Sequence, residues 1–187
     1  DLTLEMATEA GLEVDEDGFR NLMKQQRERA KADAMTRKAG LTAPTAYKEV
    51  MESSGKSNFI GYDHVTSETK ISGILVDGNV VKSATPGQHV EIILQDTPFY
   101  AEGGGQLGDH GRITLTNGAV IDVYDVQSPV PGLIVHRATV ADGEVNVSLA
   151  AHAEVDLERR MAISRAHTAT HMIHKAFREM LGDTATQ

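Results

Sequence analysis

Cysteine and tryptophan are absent from the 187 residues. Without cysteine there are no disulfides, no thiolate zinc ribbons and no thiol nucleophile. Aromatics are scarce, four Phe and four Tyr, so a core has to rest on Val, Ile, Leu, Met and Ala. No stretch approaches the roughly 18 apolar residues that a membrane helix needs. No charged and then apolar leader pattern opens the chain. Positive charge is also in deficit. The formal net charge is −9, whereas an autonomous binder of nucleic-acid phosphates is usually basic. The shortfall is local: residues 57–150 carry eleven Asp or Glu and four Lys or Arg, namely Lys70, Lys82, Arg112 and Arg137. Any nucleic-acid contact is therefore expected to be local or to borrow a basic surface from elsewhere. The first residue is Asp1, not Met, and the chain reads as a piece of a longer, cytoplasmic protein.

What is present falls into regions of different periodicity. Leu2, Leu4, Met6 and Ala10 ahead of Gly11 suit a short helix with a glycine stop. Asp15 offers an N-cap, and Glu16 and Asp17 suit the positive end of the helix dipole. From there to Ala39 helix formers dominate. The apolar stripe is thin: Phe19, Leu22, Met23, Ala30 and Ala34. Residues 41–58 hold Pro44, Ser53, Ser54, Gly55 and Ser57 and read as a linker, with a helical turn or two over Ala46–Met51.

Over 59–150 the period becomes two, with β-branched residues in runs such as Ile71, Ile74, Val76 and Val90, Ile92, Leu94. Asp77-Gly78, Asn117-Gly118 and Asp142-Gly143 separate alternating runs, and such pairs are strong hairpin signals. Three hairpins in about 90 residues predict an antiparallel barrel or sandwich. Beyond it, Asp156 can cap a helix whose apolar positions run from 163 to 181 and end at Gly182. Met172, Ile173, Ala176, Phe177 and Met180 are expected to be covered by a sheet. The fold class is α+β: N-terminal helices, an antiparallel β-barrel and a C-terminal helix.

Two clusters carry chemistry. His167-Thr168-Ala169-Thr170-His171 puts two imidazoles one helical turn apart on one face, about 6 Å along the axis. That spacing serves one metal ion, and it is equally the spacing of two helix histidines covered by a sheet. A zinc protease needs Glu after the first His; Thr168 stands there, which argues against that chemistry. His174 shares the face but lies about 10 Å from His167 along the axis, so the four-spaced pair is the better one. A third protein ligand, usual in catalytic zinc sites, is not visible.

The second cluster is Thr97-Pro98-Phe99-Tyr100-Ala101-Glu102-Gly103-Gly104-Gly105-Gln106-Leu107-Gly108-Asp109. Gly103, Gly105 and Gly108 match the dinucleotide spacing, but a hairpin rather than a helix follows, and no Lys-Ser/Thr makes it a P-loop. Consecutive glycines let a backbone approach a ligand and present N–H groups, and Gln106 adds an amide. The alternative is a glycine bulge that bends a strand. His64, His89, His110, His136 and His152 read as surface or turn residues; His110, just past the glycines, is the one placed for a site role.

Together these clusters resemble the alanyl-tRNA synthetase family. Tyr100-Ala101-Glu102 leading to Gly104-Gly105-Gln106 and Gly108-Asp109 is similar to its glycine-rich editing motif. His167 to His171, with His174, resembles the zinc helix of its editing domain. Val14-Asp15-x-x-Gly18-Phe19 with Gln26 and Arg27 resembles the end of its tRNA-recognition region, and Phe59-x-Gly61-Tyr62 the approach to the editing barrel. The resemblance implies this division: 1–40 from the tRNA-recognition region, 41–58 linker, 59–150 editing barrel, and 151–187 the first part of the zinc-binding core, truncated. It implies an enzyme that joins alanine to tRNA(Ala) with ATP and Mg²⁺ at an activation site outside these residues. The editing part would hydrolyse Ser-tRNA(Ala) or Gly-tRNA(Ala) at the aminoacylated 3′ end. Its metal residues would be His167 and His171 for Zn²⁺. Gln106 would orient substrate, and Gly104, Gly105 and Thr97 would bind it.

The chain departs from the family's pattern. Gly103 stands where Ser is frequent, and Ala166 where Asn is. The Cys and His that complete the zinc site come from a later segment, so zinc is expected to be absent or weakly held and the fragment alone inactive. A hydrolytic second site makes physical sense, because a pocket for alanine discriminates weakly against glycine and serine. Two rival readings are a free-standing aminoacyl-tRNA deacylase and a non-enzymatic barrel that binds RNA or a protein. Further partners would be the rest of the synthetase chain, with no membrane.

Overall fold

The computed structural model describes residues 11, 15–38 and 44–182. It divides into two compact units, Asp1–Leu41 and Thr42–Gln187. In the first, Glu16–Lys38 is a helix. Asp15 caps it as expected: its Oδ1 accepts from the Gly18 N–H at 2.8 Å. A Cβ on Gly18 would lie 2.1 Å from that carboxylate, so glycine is what lets the cap close. Phe19 and Leu22 are exposed. The short helix expected before Gly11, and the side chains of Ala30 and Ala34, lie outside the described residues.

The second unit is built on a closed six-stranded antiparallel barrel. Its strands are β2 (Thr66–Val76), β5 (His89–Leu94), β7 (Gly111–Leu115), β8 (Val120–Val130), β9 (Leu133–Asp142) and β11 (Ala150–Val155). They pair in the order β11-β7-β8-β9-β5-β2, and β2 returns to β11 through Ala151↔Thr69 and Ala153↔Ser67. Closure leaves no free edge in the ring. Short strands decorate it: β1 (Asn58–Phe59) beside β6 (Asp96–Thr97), β3 (Asn79–Val81) on β2, and β4 (Ser83–Ala84) beside β10 (Val145–Asn146). The barrel runs past the expected limit of 150, since β11 ends at Val155.

Period-two patterning fills the interior. Ile71, Ile74, Ile92, Leu94, Phe99, Ile113, Ile121, Val126 and Ala153 form one buried cluster. Two of the three turn signals make hairpins. Asp77-Gly78, both with positive φ, close β2 on β3 with Val76 opposite Asn79. Asn117-Gly118 lie in the β7–β8 turn, where Asn117 Oδ1 accepts from the Ala119 N–H. Asp142-Gly143 does not make a hairpin: β10 leaves it to pair with β4, not β9. The reason is steric and local. A Cβ on Gly143 would meet Ala119 Cα at 2.8 Å, so this glycine lets the chain cross the neighbouring turn and leave the sheet.

The linker expectation is corrected over Pro44–Ser54, which form a helix against the outside of the barrel. Tyr47 and Val50 are buried there with Leu75, Ile93, Leu133 and Val135 in a second apolar cluster. Gly73 receives this helix, since a Cβ there would lie 2.6 Å from Val50 Cγ1. Strand β5 is therefore buried on both faces from Val90 to Leu94.

Candidate active site

The glycine cluster folds as a miniature hairpin. Gly103 and Gln106 exchange N–H···O bonds at 3.2 and 3.0 Å, and Gly104 and Gly105 between them have φ of +59° and +79°. Two successive left-handed residues are natural for glycine and strained for other side chains. No Cβ contact would occur at either glycine, so conformation and not space selects them there. Their N–H groups take no part in the pair of bonds that closes the turn.

The C-terminal helix, Leu157–Leu181, begins where expected. Asp156 accepts from the Arg159 N–H at 3.0 Å, and Gly182 ends the helix with φ +82°. It passes the glycine hairpin. Between them lies a cleft of about 340 Å³ lined by Gly104, Gly105, Gln106 and Leu107 on one side, and Ile163, Ala166, His167, Thr170 and His171 on the other. That volume suits a small-molecule group. Two clusters about sixty residues apart in sequence thus face one space.

His167 and His171 are exposed to that space, with Nε2 atoms 2.9 Å apart and rings edge to face at 4.6 Å between centroids. Two tetrahedral zinc ligands with bonds of about 2.0–2.1 Å would have nitrogens about 3.3 Å apart, so this pair fits two corners of such a site with little adjustment. Among the described residues no group of three or more His, Cys, Asp or Glu gathers to complete it. His174 lies apart from this cleft, with Lys175, Arg178 and Glu179 around it.

Thr97, expected to bind substrate, is placed away from the cleft. Its side chain is fully buried and absent from the cleft lining. Its Oγ1 accepts from the Phe99 N–H at 3.1 Å and lies 2.7 Å from His136 Nε2. His136 Nδ1 is 2.8 Å from the Ile92 carbonyl. A carbonyl only accepts, so Nδ1 carries the proton and Nε2 accepts from Thr97. His136 is fully buried too, not a surface residue as expected. Burial lowers its pKa to about 4 against the opposing pull of the Ile92 hydrogen bond. His110 is half-buried; burial first, and then the Arg159 charge, hold its pKa below the ordinary imidazole value.

Two residues whose pairing the sequence did not reveal anchor the site. Asp109 is 2% exposed; its Oδ2 accepts from the Tyr100 N–H at 2.6 Å. It forms a two-pronged ion pair with Arg160 in the first turns of the histidine helix. Arg160 also donates to the Gly61 carbonyl at 3.0 Å and to the Pro98 carbonyl. Glu102, beside the glycine hairpin, is held by Gln127, whose Nε2 reaches Glu102 Oε2 at 2.8 Å and Asp125 Oδ1 at 3.1 Å. Asp125 pairs in turn with Arg137, which lies near Glu91, and Glu91 accepts from the buried Tyr47 hydroxyl at 3.0 Å.

The helical covering of the histidine helix is corrected as well. None of its residues is buried; Met172, Ile173, Phe177 and Met180 are all at least half exposed. Arg160, near its start, bonds to Asp109, Gly61 and Pro98, and the residues between 163 and 171 that line the cleft do so without being buried.

The family model described as tRNA synthetases class II (A) matches residues 1–159. Alanine--tRNA ligases from Nocardioides sp., Streptomyces avermitilis and Acidothermus cellulolyticus are 62%, 57% and 57% identical to the chain over its whole length. The chain belongs to the alanyl-tRNA synthetase family. It spans 21% of the length of those relatives. The family-model match ends before the histidine pair, whereas the alignments with the relatives run through it.

Proposed function

We propose that this chain carries part of a hydrolytic site that clears serine or glycine wrongly attached to tRNA(Ala), within an enzyme that joins alanine to that tRNA with ATP and Mg²⁺. The observation that carries the reading is the cleft shared by the glycine hairpin and the two-histidine face. Two imidazoles with converging Nε2 atoms beside that cleft favour a metal-assisted hydrolysis over a simple binding module. The named relatives are ligases that span far more than this chain, which favours a segment of a synthetase over a free-standing deacylase.

The reaction is ester hydrolysis. A water oxygen bonds to the aminoacyl carbonyl carbon, the bond to the terminal ribose oxygen breaks, and that oxygen leaves with a proton. The N–H groups of Gly104 and Gly105 are donors available to acceptor oxygens of the ester, and the Gln106 amide orients the aminoacyl group. His167 and His171 would hold zinc through Nε2. When bound, that ion would supply Lewis acidity and a site for water or the substrate amine. The acidic barrel leaves the body of the tRNA to other parts of the enzyme.

The test uses the full-length synthetase that contains this segment. The wild type is expected to release serine from Ser-tRNA(Ala) while sparing Ala-tRNA(Ala), and to contain zinc. His167→Ala and His171→Ala should each lose both properties and keep alanine attachment. If both variants hydrolyse Ser-tRNA(Ala) at the wild-type rate, the site lies elsewhere.

A further inference from the structure

The histidine helix carries its reactive face without burying any residue of its own, so something near its base has to fix where that face points. We propose that Arg160 and Asp109 are positioning residues. In this role their part-buried ion pair sets the direction of the helix, and with it the separation of the His167–His171 face from the glycine hairpin. The proposal rests on the hydrolytic reading above only for its consequence in catalysis; the geometric claim stands apart from it.

The guanidinium ties four points together. It grips both oxygens of Asp109 and donates to the Gly61 and Pro98 carbonyls. Asp109 stands just beyond the glycine hairpin and is itself pinned by the Tyr100 N–H. The Tyr100 hydroxyl in turn donates to the Gly103 carbonyl at 3.3 Å. One side chain of the helix is therefore bonded to the segments that enter and leave the glycine hairpin. Both partners are well shielded from water, with 16% and 3% of their side chains exposed. Shielding strengthens such a pair and makes its geometry specific, because a planar fork fits a carboxylate in few orientations.

Helical geometry carries the constraint to the histidines. At 100° per residue His167 lies about −20° and His171 about +20° from Arg160 around the axis. The anchor and the two imidazoles thus share one face. The nearby bond from the Asp156 N–H to the His110 carbonyl, 2.8 Å, fixes the helix start as a point but permits swivel about it. Arg160, four residues on, supplies the second constraint that turns a pivot into a direction. A swing of about 10° at the base would move a residue fifteen positions further along by about 4 Å, at 1.5 Å rise per residue.

The chain has no cysteine, so two spin labels can be placed without background. Ser128→Cys on β8 and Lys175→Cys on the helix are exposed positions away from the cleft. Pulsed electron-electron distance measurement on this pair is expected to give one narrow distribution in the parent chain. Arg160→Lys keeps the charge and loses the fork; it and Asp109→Asn should broaden or shift the distribution by several ångströms, with far-UV dichroism retaining the barrel signal. Arg112→Gln, which removes an exposed ion pair to Asp122 on the barrel, should leave it unchanged. In the full-length enzyme Arg160→Lys should lower kcat for Ser-tRNA(Ala), toward the order of 10²-fold that an ångström of misplacement brings, and leave KM within a few-fold. An unchanged distance distribution in both Arg160→Lys and Asp109→Asn would overturn the positioning role. Loss of the parent distribution with no Ser-tRNA(Ala) hydrolysis by the wild-type enzyme would uphold it and sink the hydrolytic reading instead.

Discussion

In the barrel every strand of the ring hides apolar side chains, and the ring has no edge. The 25-residue helix that leaves it hides none. Both are regular, and both show the periodicity of their class in the sequence. The difference is where their stability comes from. The barrel is held by many mutually buried side chains, so no single polar contact decides its shape. The helix is held in direction by a few polar bonds at one end, so its shape is secure and its aim is not. The catalytic reading depends on the two together, because the cleft has one wall on each.

Large-to-small substitutions should break the symmetry most. Ile92 is fully buried in the barrel, and Ile92→Ala is expected to lower stability by about 2–5 kcal/mol. Phe177 on the helix is 52% exposed, and Phe177→Ala should change barrel stability by less than about 0.5 kcal/mol. Urea unfolding followed by dichroism measures both. Equal losses would show the helix to be part of the barrel's cooperative core.

Acid should separate the regions next. His136 titrates near 4 in the folded barrel against an ordinary 6.5. The unfolded chain binds the proton first, so stability falls as pH drops from about 6.5 to 4 and this contribution levels off below. A shift of that size corresponds to about 3 kcal/mol. Unfolding free energies measured across that window should show the slope in the parent, and His136→Gln should remove it. The exposed histidines of the helix supply no comparable burial. A slope that persists in His136→Gln would assign the acid sensitivity to another group.

The outer helix, Pro44–Ser54, extends the comparison to a middle case, an element that is short yet buried. Tyr47→Phe removes the hydroxyl that donates to Glu91 and should cost about 1–3 kcal/mol, the range for a hydrogen bond made to a buried carboxylate. Unchanged stability would mean that the apolar contacts of Tyr47 alone seat the helix.

How much of this was legible in the chain follows the same division. Alternation of Ile, Val and Leu marks strands because one face of each is buried, and that is a local signal. Asp77-Gly78 and Asn117-Gly118 were readable because turn chemistry is local as well. Asp142-Gly143 misled because the same dipeptide also serves a crossing, and only the approach of Ala119 decides which. The 44–54 helix was obscured by its serines and by having, among its described side chains, just two buried ones, Tyr47 and Val50. The two histidines and the glycine run could be named from spacing, but their meeting across a cleft could not. The contact between Arg160 and Asp109 was invisible for a plainer reason. The two are 51 residues apart, and each alone looks like an ordinary surface charge. Covering of Met172 and Phe177 was inferred from helical periodicity, which marks a face as apolar without saying what lies against it.

The smallest expected effect is also the most local. Asp156 does two things for the helix: its carboxylate caps the Arg159 N–H, and its own N–H holds the His110 carbonyl. Asp156→Ala removes the first and keeps the second. It should cost about 1 kcal/mol, the usual value for losing an N-cap. That loss should appear in the first turn of the helix and not in the barrel. Amide hydrogen exchange resolves the two, with Arg159 and Arg160 amides exchanging about fivefold faster and those of Ile92 and Ile121 unchanged. If the strand amides lose the same protection, the helix start and the ring open as one unit. The direction of the helix would then be secured by the barrel as a whole, and the contrast between a self-sufficient ring and a tethered helix would fail at its most sensitive point.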